Sequence, residues 1–148
     1  MASLNELTYI YNTLMSHMHA ERLDDIIIDL ADGIFQRETR MLLDYGLFRS
    51  QIDHLVFAAS DSLSADCGVR RLSMAGYPLR AVSGQVAQSP ALLREVEEVT
   101  GYPCLNWDQV ITRISEFLPK PLYSKAVGTS VGLLRGNKET LSLRATGC

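Results

Sequence analysis

Apolar side chains recur at three- and four-residue spacing in the first part of the chain, as they do in helices that bury one side. Leu7, Ile10, Tyr11, Leu14, Met15 and Met18 form one such stripe. Ser3 followed by Glu6 makes a capping box, in which hydroxyl and carboxylate satisfy amide donors that a helix start leaves open. Together they predict a first helix over about 4–18. The pattern resumes over 21–45, with Leu23, Ile26, Ile27, Leu30, Ala31, Ile34, Phe35, Met41, Leu42 and Tyr45 on one side. Asp24, Asp25, Asp29, Asp32, Arg37, Glu38 and Arg40 fill most of the other. A helix interior carries a glycine at a cost of about 1 kcal/mol, so Gly33 leaves two readings: one long helix, or two that break near Asp32-Gly33.

Gly46 offers a left-handed helix stop. Ser50 with Asp53 offers the next start, and Ile52, Leu55, Val56, Ala59 and Leu63 its stripe, after which DSLSADCG reads as a loop. The helical period then fades. Residues 69–74 and 77–82 fit two short strands, the second confined to an edge or its first position by Pro78. Ser89-Pro90 starts another helix with the stripe Leu92, Leu93, Val96 and Val99, ended by Thr100-Gly101. Asn106 with Gln109 starts a last one, carrying Trp107, Val110, Ile111, Ile114, Phe117 and Leu118 up to Pro119 and Pro121. Beyond it, 122–127 fits a strand, and 131–135 with 140–144 a hairpin turning at Gly136-Asn137.

The expected fold is α+β and predominantly helical: five or six amphipathic helices, a small C-terminal β-hairpin and two short central strands. At 148 residues and 47% apolar the chain suits one core rather than two. A single domain over 1–148 is expected, with a seam near 60–68 and a basic, β-rich segment over 120–148.

Charge refines this picture. Residues 1–60 carry nine acidic and four basic side chains, whereas 120–148 carries Lys120, Lys125, Arg135, Lys138 and Arg144 against Glu139 alone. The acidic front repels polyanions, so a nucleic-acid role would need a local basic patch. No apolar run approaches the length of a membrane span, and the N-terminus lacks the basic and apolar regions of a secretory signal. Cys67, Cys104 and Cys148 have neither zinc-site nor disulfide-framework spacing. A cytoplasmic location is expected.

The chemistry-bearing patterns are few. Neither a phosphate-binding glycine loop nor a dinucleotide fingerprint occurs, and no cofactor is expected. Asp24, Asp25 and Asp29 form a string that would put Asp25 and Asp29 one turn apart on a helix side suited to magnesium, but they read as a solvated face near a helix start. His17, His19 and Glu21 lack the zinc-protease order, so no metal ligand is assigned. No residue is assigned a catalytic role. A small enzyme assembled from distant residues would draw on His54, Cys67, Cys104 and Asp108.

A helix-turn-helix over 38–58 is the sharpest pattern. Arg40 and Arg70 would reach phosphate, Arg49 and Gln51 would read base edges, and Arg71 would add a wing-like contact. The favoured expectation is a non-enzymatic adaptor or chaperone-like accessory protein. It would use the methionine-bearing helix through Tyr11, Met15 and Met18 and the basic segment through Lys125, Arg135 and Lys138. The partner is then another protein, acidic where it meets the basic segment, or a second copy in a homodimer.

Overall fold

The computed structural model describes residues 2–21, 23 and 25–117. Among these residues the chain is predominantly helical, with six α-helices and a two-stranded sheet. The helix α1 (Leu4–Ala20) starts on Ser3, where both halves of the capping box are formed: the Glu6 amide donates to Ser3 Oγ, and the Ser3 amide to the Glu6 carboxylate. These bonds hold the Glu6 carboxyl below its ordinary pKa.

Residues 25–32 depart from the expected helix. They adopt neither helix nor strand, and burial alternates from residue to residue between Asp25 and Leu30. Ile28 and Leu30 pack against the core while Asp25, Ile27 and Asp29 face outward. A run of three isoleucines has stiff, β-branched side chains that suit this alternation better than a helix. Helix resumes in α2 (Arg37–Leu43), capped by the Gln36 side chain on the Thr39 amide, and in α3 (Gly46–Ser50). Gly46 is thus the first residue of a helix, not a left-handed stop.

The larger correction concerns 50–74. The predicted helix through Leu55 and Ala59 is instead the strand β1 (Leu55–Ala58), and the predicted loop and first central strand together form α4 (Ser62–Met74). β1 is an almost unbroken apolar run because both of its faces are covered. α4 crosses over to β2 (Leu79–Ser83), which pairs with β1 in parallel, Phe57 opposite Val82 and Ala58 opposite Ser83. Such a pair needs a long crossover, and the helix supplies it. At Gly68 the helix lies so close to the sheet that a Cβ would sit 2.1 Å from Phe57 Cε1.

After β2 comes a 3₁₀ turn at Gln85–Gln88, then α5 (Pro90–Thr100), which begins at its predicted proline and ends at Gly101 with φ +71°. The chain then returns to the sheet. The Val82 amide donates to Pro103 O (2.9 Å) and the Leu105 amide to Val82 O (2.8 Å), a parallel bridge between Val82 and Cys104. α6 (Trp107–Phe117) follows, started by reciprocal bonds between Asn106 and Gln109 as the sequence implied.

One buried cluster runs from Tyr11 and Ile34 through Phe48, Phe57, Leu72 and Val82 to Val96 and Cys104. Residues 60–68, where a seam was expected, are the loop into α4 and its first turns, and Ala65 there belongs to the same cluster. α1 joins through Tyr11, whose ring meets Phe48 edge-on at 5.1 Å and whose hydroxyl donates to Gln51 Oε1. The buried Tyr77 hydroxyl donates to Leu43 O (2.8 Å), fastening the end of α2 to the start of β2. The predicted strand 122–127 and hairpin 131–144 lie outside the described residues.

Candidate functional site

α1 presents two adjacent sides with different fates. Tyr11 and Met18, expected to meet a partner, are only 7% and 8% exposed and serve the chain's own interior, with Met15 half-buried beside them. The neighbouring flank is open: Ile10 is 53% exposed and Leu14, one turn on, 42%. Leu7, half-buried, begins that row at three- and four-residue spacing. Both flank residues belonged to the apolar stripe legible in the sequence; their exposure follows from α1 having its inner neighbours on one side. The basic interaction candidates Lys125, Arg135 and Lys138 lie outside the described residues.

The helix-turn-helix is not formed. Its second helix, α3, is five residues long, and the chain enters β1 at Leu55, so no recognition helix projects from the turn. Each side chain assigned to DNA already has a partner within the fold. Arg40 pairs with Asp44 (3.7 Å), and Arg71 reaches the same carboxylate at 2.9 Å. Arg49 donates to Ala75 O (2.9 Å) at the end of α4, and Gln51 accepts from Tyr11. Arg70 lies 2.8 Å from Asp66, which raises its already high pKa.

Residues considered for chemistry are not joined to one another by any hydrogen bond found among the described residues. His54 precedes β1 and accepts at Nδ1 from Arg80 Nε (3.1 Å). Its pKa is lowered by partial burial and then by the Arg80 charge. Cys104 lies in the buried cluster, and burial, reinforced by the Glu97 carboxylate, pushes its thiol up to about 11. A thiol so raised stays protonated at neutral pH, the opposite of an activated nucleophile. Cys67 is half-buried on α4, and Asp108 is exposed on the first turn of α6.

The Asp25 and Asp29 pair does not share a helix side, because no helix forms there. His19 Nδ1 approaches Met15 O at 2.6 Å. Among the described residues, no group of three or more His, Cys, Asp or Glu side chains is placed to hold a metal ion.

The carboxyl ends of parallel strands are where open α/β sheets bind ligands. Here the chain's own bonds close that rim. The Ala59 amide donates to Ser83 O (2.9 Å), the Val86 amide to Ala59 O (3.1 Å), and Ser83 Oγ to Leu105 O (2.7 Å). Gly84, at φ +98°, permits the approach, since a Cβ there would lie 2.7 Å from Ala59 O. Asp61 caps α4 by accepting from the Ser64 amide (2.8 Å), and that bond is the leading cause of its depressed pKa. Sequence reading passed over this junction, although Asp61 and Ser64 stand at capping-box spacing inside the supposed loop.

No described helix is long and apolar enough to cross a membrane. Comparison of the chain with protein-family models, curated proteins and solved structures finds no match.

Proposed function

We propose that this protein works by binding another protein, as an adaptor or chaperone-like accessory factor, and that the outer flank of α1 is its contact surface. The observation that carries this reading is the exposure of Ile10 and Leu14, one turn apart, on a helix whose adjacent side is anchored by Tyr11 and Met18. A helix fixed on one side and apolar on the next is suited to an apolar groove, with side chains at i and i+4 as anchors. Glu6 and Glu21 bracket the helix and residues 1–60 are acidic, so the complementary groove has a basic rim. The free thiols Cys67 and Cys104 accord with a reducing compartment, and we place the protein in the cytoplasm.

A photo-crosslinking side chain at position 10 or 14 tests this directly. The expected result is one discrete adduct in native extract, absent when the crosslinker stands at the exposed Asn12 and lost from the Ile10→Asp/Leu14→Asp variant with helix content unchanged. Equal capture from positions 10 and 12 would remove the proposal. An adduct of twice the chain's own mass would assign the flank to a homodimer, to be checked by light scattering.

A further inference from the structure

Among the described residues β2 has a neighbour on each side, β1 on one and the bridge at Cys104 on the other, whereas β1 pairs with β2 alone. The register decides which main-chain groups look away from the sheet. The amides of Leu55 and Ala59 donate to Pro78 O (3.1 Å) and Ser83 O (2.9 Å), and Phe57 between them pairs with Val82. Bonding direction alternates along a strand, so the amides and carbonyls of Val56 and Ala58 turn outward. Among the described residues they take no hydrogen bond there, and the extended residues 25–32 contribute none to β1. Val56 is half-buried and Ala58 7% exposed. Water therefore serves these groups incompletely, a state that a strand laid alongside would relieve.

We infer that the outer edge of β1 takes up an extended segment of a partner protein, one with a basic residue on each side of a short apolar stretch. Main-chain bonds to Val56 and Ala58 hold it, and charge selects it. β1 runs between two exposed carboxylates, Asp53 and Asp61. The Ser64 amide favours the ionised form of Asp61, and Arg80, near the Asp53 end, is turned to His54. Residues 1–117 carry nine basic and sixteen acidic side chains, so the wider field also favours a cationic guest. The same two carboxylates disfavour a second copy. Two β1 edges meeting antiparallel across a two-fold axis at Phe57 would set Val56 against Ala58 and, in that register, Asp53 against Asp61.

The probe is a fluorescein-labelled heptapeptide, Lys-Val-Thr-Val-Thr-Val-Lys, added to the full-length protein. Before addition, the amides of Val56 and Ala58 should exchange with deuterium many-fold faster than those of Phe57 and Ala59; saturating peptide should slow them to the rate of these neighbours. Replacing both lysines by glutamate should weaken binding, read by anisotropy, about tenfold, as two exposed charge pairs would. N-methyl groups on the valines or on the threonines should give opposite results, one set abolishing binding and the other leaving it, because only alternate amides face the edge. Asp53→Lys should weaken the lysine peptide and tighten the glutamate one. Ile10→Asp/Leu14→Asp should bind as the unaltered protein does, so this edge and the flank of α1 are judged separately. Slow exchange at Val56 and Ala58 without peptide would overturn the inference, and if it appears only at high protein concentration it assigns the edge to a second copy. So would the absence of binding, equal loss from both methylation patterns, or equal affinity for the two peptides.

Discussion

Single side chains decide how closely the helices approach the sheet. Gly68 is the tightest point, where the missing Cβ leaves room for the fully buried Phe57 ring. Gly68→Ala should destabilise the fold by about 1–3 kcal/mol, the usual cost of overpacking. Urea unfolding measures this, and adding Phe57→Leu should recover part of the loss because the two changes share one space. His54 supplies a different dependence. Its folded pKa lies below the ordinary 6.5, so the unfolded chain takes up the proton more readily. The His54 contribution is therefore complete above 6.5 and is lost as pH falls toward the depressed value. Between about pH 7.5 and about 5.5 the unaltered protein should lose more stability than His54→Gln, a difference that shrinks in an Arg80→Ala background but persists, because partial burial is the larger cause of the lowered pKa. The caps of α1 and α6 were legible at this scale because a capping pair is a local chemical statement. Gly68 was not, since its importance comes from a ring eleven positions away in sequence and across a layer in space.

Elements were legible where the local signal had no competitor. α1 carries a box and a stripe, and α5 a proline at its start and a glycine just past its end. β1 failed that condition: Leu55, Val56 and Ala59 satisfy helical spacing, and a strand covered on both faces loses the alternation that would have exposed it. α4 was hidden for the opposite reason, because Ser62, Ser64 and Asp66 look like a loop until Asp61 is recognised as a cap. Asp61→Ala should cost about 0.5–2 kcal/mol in chemical denaturation, and Asp61→Asn far less, since the amide oxygen can still accept from Ser64. An equal loss for both would show that the carboxylate's charge at the helix start, rather than the hydrogen bond, is the source. The candidate contact on α1 was partly legible: the stripe named Ile10 and Leu14 together with Tyr11 and Met18. Only packing divides the four into an inner pair and an open pair.

For the molecule as a whole, the predominance of helix was readable from periodicity, but the parallel order of the sheet was not, since pairing across a crossover leaves no mark on either strand alone. β1, α4, β2 and the return at Cys104 form the central unit, with α5 packed on α4. Hydrogen exchange should find the slowest amides at Phe57, Ala59, Val82 and Leu105, opening only with global unfolding. Faster exchange there than in α1 would mean that the sheet is not the stable centre. The same unit explains why Arg49 and Arg71 have partners nearby. Arg49 and Arg71 tie α2 and α3 to the last turn of the crossover helix through Ala75 O and Asp44.

The phenol of Tyr77, held on the Leu43 carbonyl, carries a built-in limit toward alkali. Burial raises it far above its ordinary 10.0, so unfolded chains would shed that proton first and the linkage works against the native state as hydroxide accumulates. An ultraviolet titration followed alongside circular dichroism checks this. The band from Tyr77 should rise late and together with the collapse of ellipticity, and Tyr77→Phe should part the two events.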